Sequence, residues 1–156
     1  MKKVLFTLIA LLLVTTTAQA EPRFGIVGEA NTGLGVIIVD DMYSAQVTYT
    51  SESDDATSAN ELAVIGIAAN YKAALDSVTS LTFGVSYGIG SGEAEGTEYD
   101  TYTELAVVAG LERALSSNIL MTTQIDLYSQ ATVDTGTEVK TTGLLNNARV
   151  GVAYLF

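Results

Sequence analysis

The sequence predicts an all-β chain, an eight-stranded antiparallel up-and-down transmembrane β-barrel behind a cleaved signal peptide, and three observations predict it. The first twenty residues have the make-up of an export signal. The remainder alternates apolar and polar side chains with a period of two through eight segments, the spacing at which successive side chains of a strand fall on opposite faces. No stretch after residue 20 is long and apolar enough for a membrane-spanning helix, which needs roughly 20 such residues. The chain therefore crosses a bilayer as strands or not at all.

Lys2 and Lys3 precede an apolar run from Val4 to Val14, which gives way to Thr15, Thr16, Thr17 and then Ala18-Gln19-Ala20. A basic start, a short greasy centre and a small-residue end form a secretory signal, with cleavage expected after Ala20. Residues 1–20 are read as the signal peptide and 21–156 as one barrel domain.

The eight segments lie near 22–30, 33–39, 43–50, 61–71, 78–90, 101–112, 119–131 and 142–156, separated by clusters of Gly, Ser, Thr, Asn, Asp and Glu. The first two are joined by Asn31-Thr32 alone. In the third, Tyr43, Ala45, Val47 and Tyr49 share one face, and Ser44, Gln46, Thr48 and Thr50 the other. The fourth and sixth begin alike, Glu61-Leu62-Ala63-Val64 and Glu104-Leu105-Ala106-Val107, and run into Tyr71-Lys72-Ala73-Ala74-Leu75 and Leu111-Glu112-Arg113-Ala114-Leu115. Such an echo fits duplicated hairpins or similar composition under similar constraints. In the fifth, Leu81, Phe83, Val85, Tyr87 and Ile89 oppose Ser80, Thr82, Gly84, Ser86 and Gly88. In the seventh, Ile119, Met121, Ile125 and Leu127 oppose Thr122, Gln124, Asp126 and Gln130. The eighth carries Val150, Val152, Tyr154 and Phe156 on one face.

Alternation alone does not say which face is inside. Three features favour a greasy exterior. The polar face is rich in Ser, Thr and Gly and poor in the Lys and Glu that coat a soluble sheet. Aromatic residues fall at two levels, Phe24, Tyr43, Tyr71, Tyr154 and Phe156 at one and Tyr49, Tyr87 and Tyr102 at the other, as in interfacial girdles. The connections 40–42, 72–77 and 113–118 are compact, whereas 51–60, 91–100 and 132–141 are longer and acidic.

Composition removes whole classes of function. Without Lys2 and Lys3, five of the seven basic residues remain against eighteen acidic ones, a net charge of −13 for residues 21–156, so nucleic acid is not a partner. Cysteine and histidine are absent, which excludes disulfide staples and takes away the commonest general base and transition-metal ligand. No cofactor is expected. The acidic loop residues Glu52, Asp54, Asp55, Glu93, Glu95, Glu98, Asp100, Asp134 and Glu138 match no regular calcium-loop spacing, so no metal site is expected either. Lys140 is the one basic residue in these loops, too little for binding lipopolysaccharide phosphates directly.

Parity places Arg23, Glu29, Glu104, Asp126 and Arg149 on the polar face. A final hairpin centred near Gly136-Thr137 sets Asp126 roughly opposite Arg149. Closure of the first strand on the last brings Glu29 near, and Glu104 joins across a short turn. An arginine among carboxylates in a narrow interior pairs with at least one of them. The cluster is expected to be a plug that holds the barrel shut or, alternatively, an ion gate.

The last segment, Ala148-Arg149-Val150-Gly151-Val152-Ala153-Tyr154-Leu155-Phe156, resembles the C-terminal assembly signal of bacterial outer-membrane proteins. The resemblance extends in architecture over the whole of 21–156, and is to the small OmpA/OmpX-type barrels of eight strands. It implies a Gram-negative cell-envelope protein of the cell outer membrane, with outer-membrane lipid around it and the barrel assembly machinery as a partner recognising Val152, Tyr154 and above all Phe156. It also implies an interior filled by side chains rather than a broad porin-like pore. Lipid A deacylases and omptin-type proteases, enzymes among such barrels, use a histidine that this chain lacks, so a non-enzymatic protein acting in envelope structure or in surface contacts through acidic loops is expected, its surface ligand unnamed. A narrow cation-preferring channel and a soluble periplasmic barrel binding an apolar ligand are the alternatives.

Overall fold

The computed structural model describes residues 21–30, 33–54, 60–94, 97–134 and 138–156, with backbone alone at 52–54, 60–62, 93–94 and 97–100. Among these residues the strands are β1 (Arg23–Glu29), β2 (Gly33–Val39), β3 (Tyr43–Asp54), β4 (Asn60–Ala74), β5 (Thr79–Ala94), β6 (Thr97–Ala114), β7 (Ile119–Asp134) and β8 (Glu138–Leu155). Each is antiparallel to the next, and β8 returns to β1 through Gly25↔Leu155 to Glu29↔Gly151, so the ring closes. Closure completes the ladder around the short-turn half of the wall, whereas among the described residues β8 from Glu138 to Arg149 and β3 from Thr50 to Asp54 extend beyond their pairing with β1 and β2.

Three short turns close one end, each begun by a side chain that caps the backbone after it. Asp40 Oδ1 accepts from the N–H groups of Met42 and Tyr43, at 2.7 and 2.6 Å. Asp76 Oδ1 accepts from Val78 and Thr79, both at 2.8 Å. Ser116 Oγ accepts from Asn118 and Ile119, at 3.3 and 3.1 Å. Short Asp and Ser side chains can fold back to donors two and three residues on, so these residues select tight turns locally. The donors around Asp76, the Val78 N–H foremost, hold its exposed carboxyl below its ordinary pKa. A depressed folded pKa stabilises the fold above the carboxyl's unfolded value, and that contribution fades as pH falls through the folded one. Carboxyl NMR titration of the micelle-bound barrel should therefore place Asp76 below the ordinary range; a midpoint at or above it would contradict the turn geometry.

Strand length differs from expectation at the other end. The segments expected as loops at 51–60, 91–100 and 132–141 are largely ladder, with β3 reaching Asp54, β5 Ala94 and β7 Asp134. Runs of Ser, Thr and Glu are polar enough to look like loop, yet stand as strand where they pair residue by residue across the hairpin. The turn residues 31–32 and the acidic Asp55 and Glu95 lie outside the described residues, as does the signal-peptide segment, and nothing is described of the side chains of Glu52, Asp54, Glu93, Glu98 and Asp100.

Greasy side chains point outward. Phe24, Leu34, Val47, Ile65, Val85, Leu105 and Tyr154 are all exposed, whereas Ser44, Thr48, Thr82, Glu112 and Asp126 are buried inside the ring. A soluble carrier needs the opposite arrangement. On β5 the outward series Leu81, Phe83, Val85, Tyr87 and Ile89 spans nine residues without a charge, about the 9–11 that a tilted strand needs to cross a bilayer. The turn-end aromatics pair edge-on, Tyr43 with Tyr71 and Tyr154 with Phe156, at centroid distances of 5.7 and 5.8 Å.

A bulge corrects the expected faces of β7. Val107 pairs with Tyr128 but Val108 with Asp126, leaving Leu127 as the extra residue. Parity reverses there, as one inserted residue requires. Tyr128 thus faces outward, and Gln130, expected inside, stands beside outward Leu105. Tyr102, expected in the upper girdle, points inward and donates its hydroxyl to Glu104 Oε2 at 2.9 Å.

Candidate functional site in the lumen

Two side-chain layers and a cavity fill the barrel. The cavity, of about 470 Å³, lies in the half away from the short turns and is lined by residues such as Glu29, Gln46, Thr48, Ser86, Tyr102, Glu104, Gln124 and Arg149. Its walls are small on the β3–β5 side because Gly66, Ala68, Ser86 and Gly88 face inward there. The polar alternation of those strands creates this space.

Arg149 borders the cavity on β8. Its Nη2 donates to Asp126 Oδ1, forming an ion pair in which the aspartate side chain is almost wholly buried and the arginine about one-fifth exposed. Asn147 Nδ2 donates to Asp126 Oδ2 at 3.0 Å and to Glu104 Oε1 at 3.1 Å, so an amide ties the two carboxylates together. Glu29 Oε1 accepts from Gln46 Nε2 at 2.5 Å and Glu29 pairs in register with Gly151, two residues from Arg149. Arg23 stands elsewhere: its Nη1 donates to the Ser117 carbonyl in the β6–β7 turn. Grouping Arg23 with Arg149 by parity is therefore corrected, because a shared face does not imply a shared height.

The expected opposition of Asp126 and Arg149 is also adjusted. Arg149 pairs with Gln124 and Asp126 with Asn146, because β8 spends three residues where β7 spends two. Asn147 within this excess and Leu145 beside it have positive φ values of 49° and 51°. Asparagine tolerates the left-handed region, whereas leucine is strained there. The kink turns the Asn147 amide toward Asp126, and the long Arg149 side chain reaches Asp126 diagonally.

A second layer, absent from the sequence expectations, lies toward the short turns. Lys72 Nζ sits 3.0 Å from Glu112 Oε2, with side chains only 9% and 5% exposed. Lys72 also donates to the Asp40 carbonyl at 2.9 Å, and Ser44 Oγ donates to Glu112 Oε1. Between the layers, Gln124 Nε2 on β7 donates to Asn70 Oδ1 on β4 at 3.1 Å, spanning the lumen. The opposite wall is apolar, with Val27, Ile37, Val39, Leu120, Ala153 and Leu155 forming one buried cluster. The unbroken apolar run Val36-Ile37-Ile38-Val39 is its signal in the sequence: both faces of β2 are greasy, one for the exterior and one for the lumen floor. For the polar layer the signal is the internal echo, in which Lys72 and Glu112 occupy corresponding positions.

Among the described residues, no group of three or more acidic side chains has the arrangement of a metal site. Phe156 ends the β1–β8 seam, its N–H donating to the Phe24 carbonyl at 2.8 Å.

No family model matches the chain, and no curated protein does. Solved structures similar to it include a major outer membrane protein from Thermus thermophilus, at 15% identity and TM-score 0.44, covering 88% of this chain and 100% of that one. Ail, the attachment invasion locus protein of Yersinia pestis, is similar at 15% identity and TM-score 0.45, over 86% and 96%. CarO of Acinetobacter baumannii is similar at 12% identity and TM-score 0.42, over 90% and 100%.

Proposed function

We propose that the chain is a non-enzymatic barrel of the bacterial outer membrane, contributing to envelope structure or to surface contacts through its acidic upper rim. The observation that carries this reading is the outward face: apolar and uncharged over the span of a bilayer on β5, and polar again above it, where Gln130, Thr132 and Asp134 follow Tyr128 on β7. Water disfavours so large a continuous apolar exterior, and lipid accepts it. At the rim, Lys140 and Glu138 form an exposed ion pair at 2.6 Å, a contact of little energetic weight. The filled floor of the lumen favours a closed wall element over a channel.

Fractionation of cells expressing the full chain, with unboiled gels, tests the reading. The chain should sediment with the outer membrane and migrate differently before and after boiling. Recovery as a soluble monomer without a mobility shift would refute it.

Assembly supplies a separate expectation. Phe156, with Tyr154 and Val152 on the same outward face, is proposed as the segment that the barrel assembly machinery recognises. Phe156→Ala should reduce the heat-modifiable fraction in the membrane, whereas Ser86→Ala should leave it near that of the unaltered chain. Equal insertion of both would remove the assembly role from Phe156.

A further inference from the structure

We propose that the permeability barrier of the barrel is the layer around Lys72 and Glu112 at the short-turn end, and that the cavity bordered by Arg149 is a blind cup above it. The proposal rests on the membrane reading given above. Three observations carry it.

The cavity stops short of the layer. Its lining reaches Gln46 on β3 and Ala68 on β4 but includes neither Ser44 nor Lys72, which lie further toward the turns. The Gln124–Asn70 hydrogen bond crosses the lumen between them.

Below the bridge, a polar group and an apolar cluster stand side by side in the lumen. On one side Lys72 is held between Glu112 and the Asp40 carbonyl, while Ser44 ties Glu112 to β3. On the other, Val27, Ile37, Val39, Leu120, Ala153 and Leu155 pack as a buried apolar cluster. An ion descending from the cup would have to shed water against that cluster or displace a buried ion pair.

The Arg149–Asp126 pair is placed differently. It lies along the β7–β8 wall and borders the cavity, with the arginine partly exposed. Removing it widens a cup that already exists, without piercing the floor. The arginine lines the cup, and the lysine closes it.

Planar-bilayer recordings on purified full chain separate the two layers. Wild type and Arg149→Ala should both stay at the baseline, whereas Lys72→Ala/Glu112→Ala should raise the steady conductance about tenfold or more above it, since small neutral side chains leave the polar half of the floor unfilled. Steady conductance in wild type, conductance in Arg149→Ala, or silence in a heat-modifiable Lys72→Ala/Glu112→Ala barrel would each overturn the proposal.

A second measurement leaves the layer nearly intact in case that double variant does not fold. The chain has no cysteine, so single cysteines report without background. In barrels reconstituted into phospholipid vesicles, Ser86→Cys in the cup should react with a charged, membrane-impermeant thiol reagent. Thr82→Cys, beside Lys72 in the ladder, should react about a hundredfold more slowly, because its site is buried in the closed layer. Comparable rates would place the barrier elsewhere. Heat-modifiability of the same samples distinguishes this failure from failure of the membrane reading, which would appear as loss of the mobility shift in the unaltered chain.

Discussion

Glu112→Ala should destabilise the barrel by about 3 to 5 kcal/mol, the range for removing one member of a buried ion pair. Glu112 is 4% exposed, and its carboxylate accepts from Ser44 while standing against the Lys72 ammonium. Alanine removes both contacts and leaves a buried cation facing the Asp40 carbonyl. The cost falls on what remains, since a charge at a buried site without its counter-ion is poorly solvated. The double substitution Lys72→Met/Glu112→Leu should recover most of the loss, because a well-packed apolar pair of similar volume often equals or exceeds a buried ion pair in stability. Denaturant unfolding in detergent micelles, arranged as a double-mutant cycle, measures both. A Glu112→Ala cost below about 1 kcal/mol, the range of an exposed pair, would mean that water reaches the layer, contradicting the burial of Lys72 and Glu112.

Val85→Arg should cost about 2 to 4 kcal/mol in a bilayer, the range for a basic side chain at the midplane of a barrel exterior. Val85 is the middle member of the outward series on β5 and is 44% exposed. On a soluble protein a half-exposed site of this kind tolerates arginine within about 0.5 kcal/mol. The same substitution therefore gives different results in the two environments. Thr132→Arg, on the outward face of β7 above Tyr128, serves as the comparison and should cost about 0 to 1 kcal/mol, as near an interface. Urea unfolding in lipid vesicles reads both values. Equal, small costs at the two positions would show that the β5 exterior does not lie in lipid.

Sequence and structure agree most closely where one residue acts on its immediate neighbours. Tyr43 to Thr50 alternates without interruption, and β3 presents the faces that a period of two requires. The connections expected to be compact at 40–42, 72–77 and 113–118 hold tight turns, which Asp40, Asp76 and Ser116 cap. Agreement weakens where a strand departs from its period. Nothing local marks Leu127 as an extra residue, yet its insertion moves Gln130 from the lumen to the exterior. Lys72 reads as part of a turn because the apolar run thins after Tyr71, but β4 continues to Ala74 and turns the lysine inward.

By itself, the sequence determined the alternation of faces, the eight strands, the compact turns at one end and the presence of Glu29, Glu104, Asp126 and Arg149 on the inner side, because each depends on chemistry within a few residues of chain. Only the tertiary structure decided which of these meet. Closing a ring of tilted strands staggers one against the next, so residues far apart in sequence come to one height while residues on the same face separate. That stagger sets Glu112 against Lys72 across β5, sends Arg23 to Ser117 instead of the Arg149 group, and places Asn147 between two carboxylates. Contact across a lumen depends on register, bulges and closure taken together, and a one-residue change in any of them reassigns the partners.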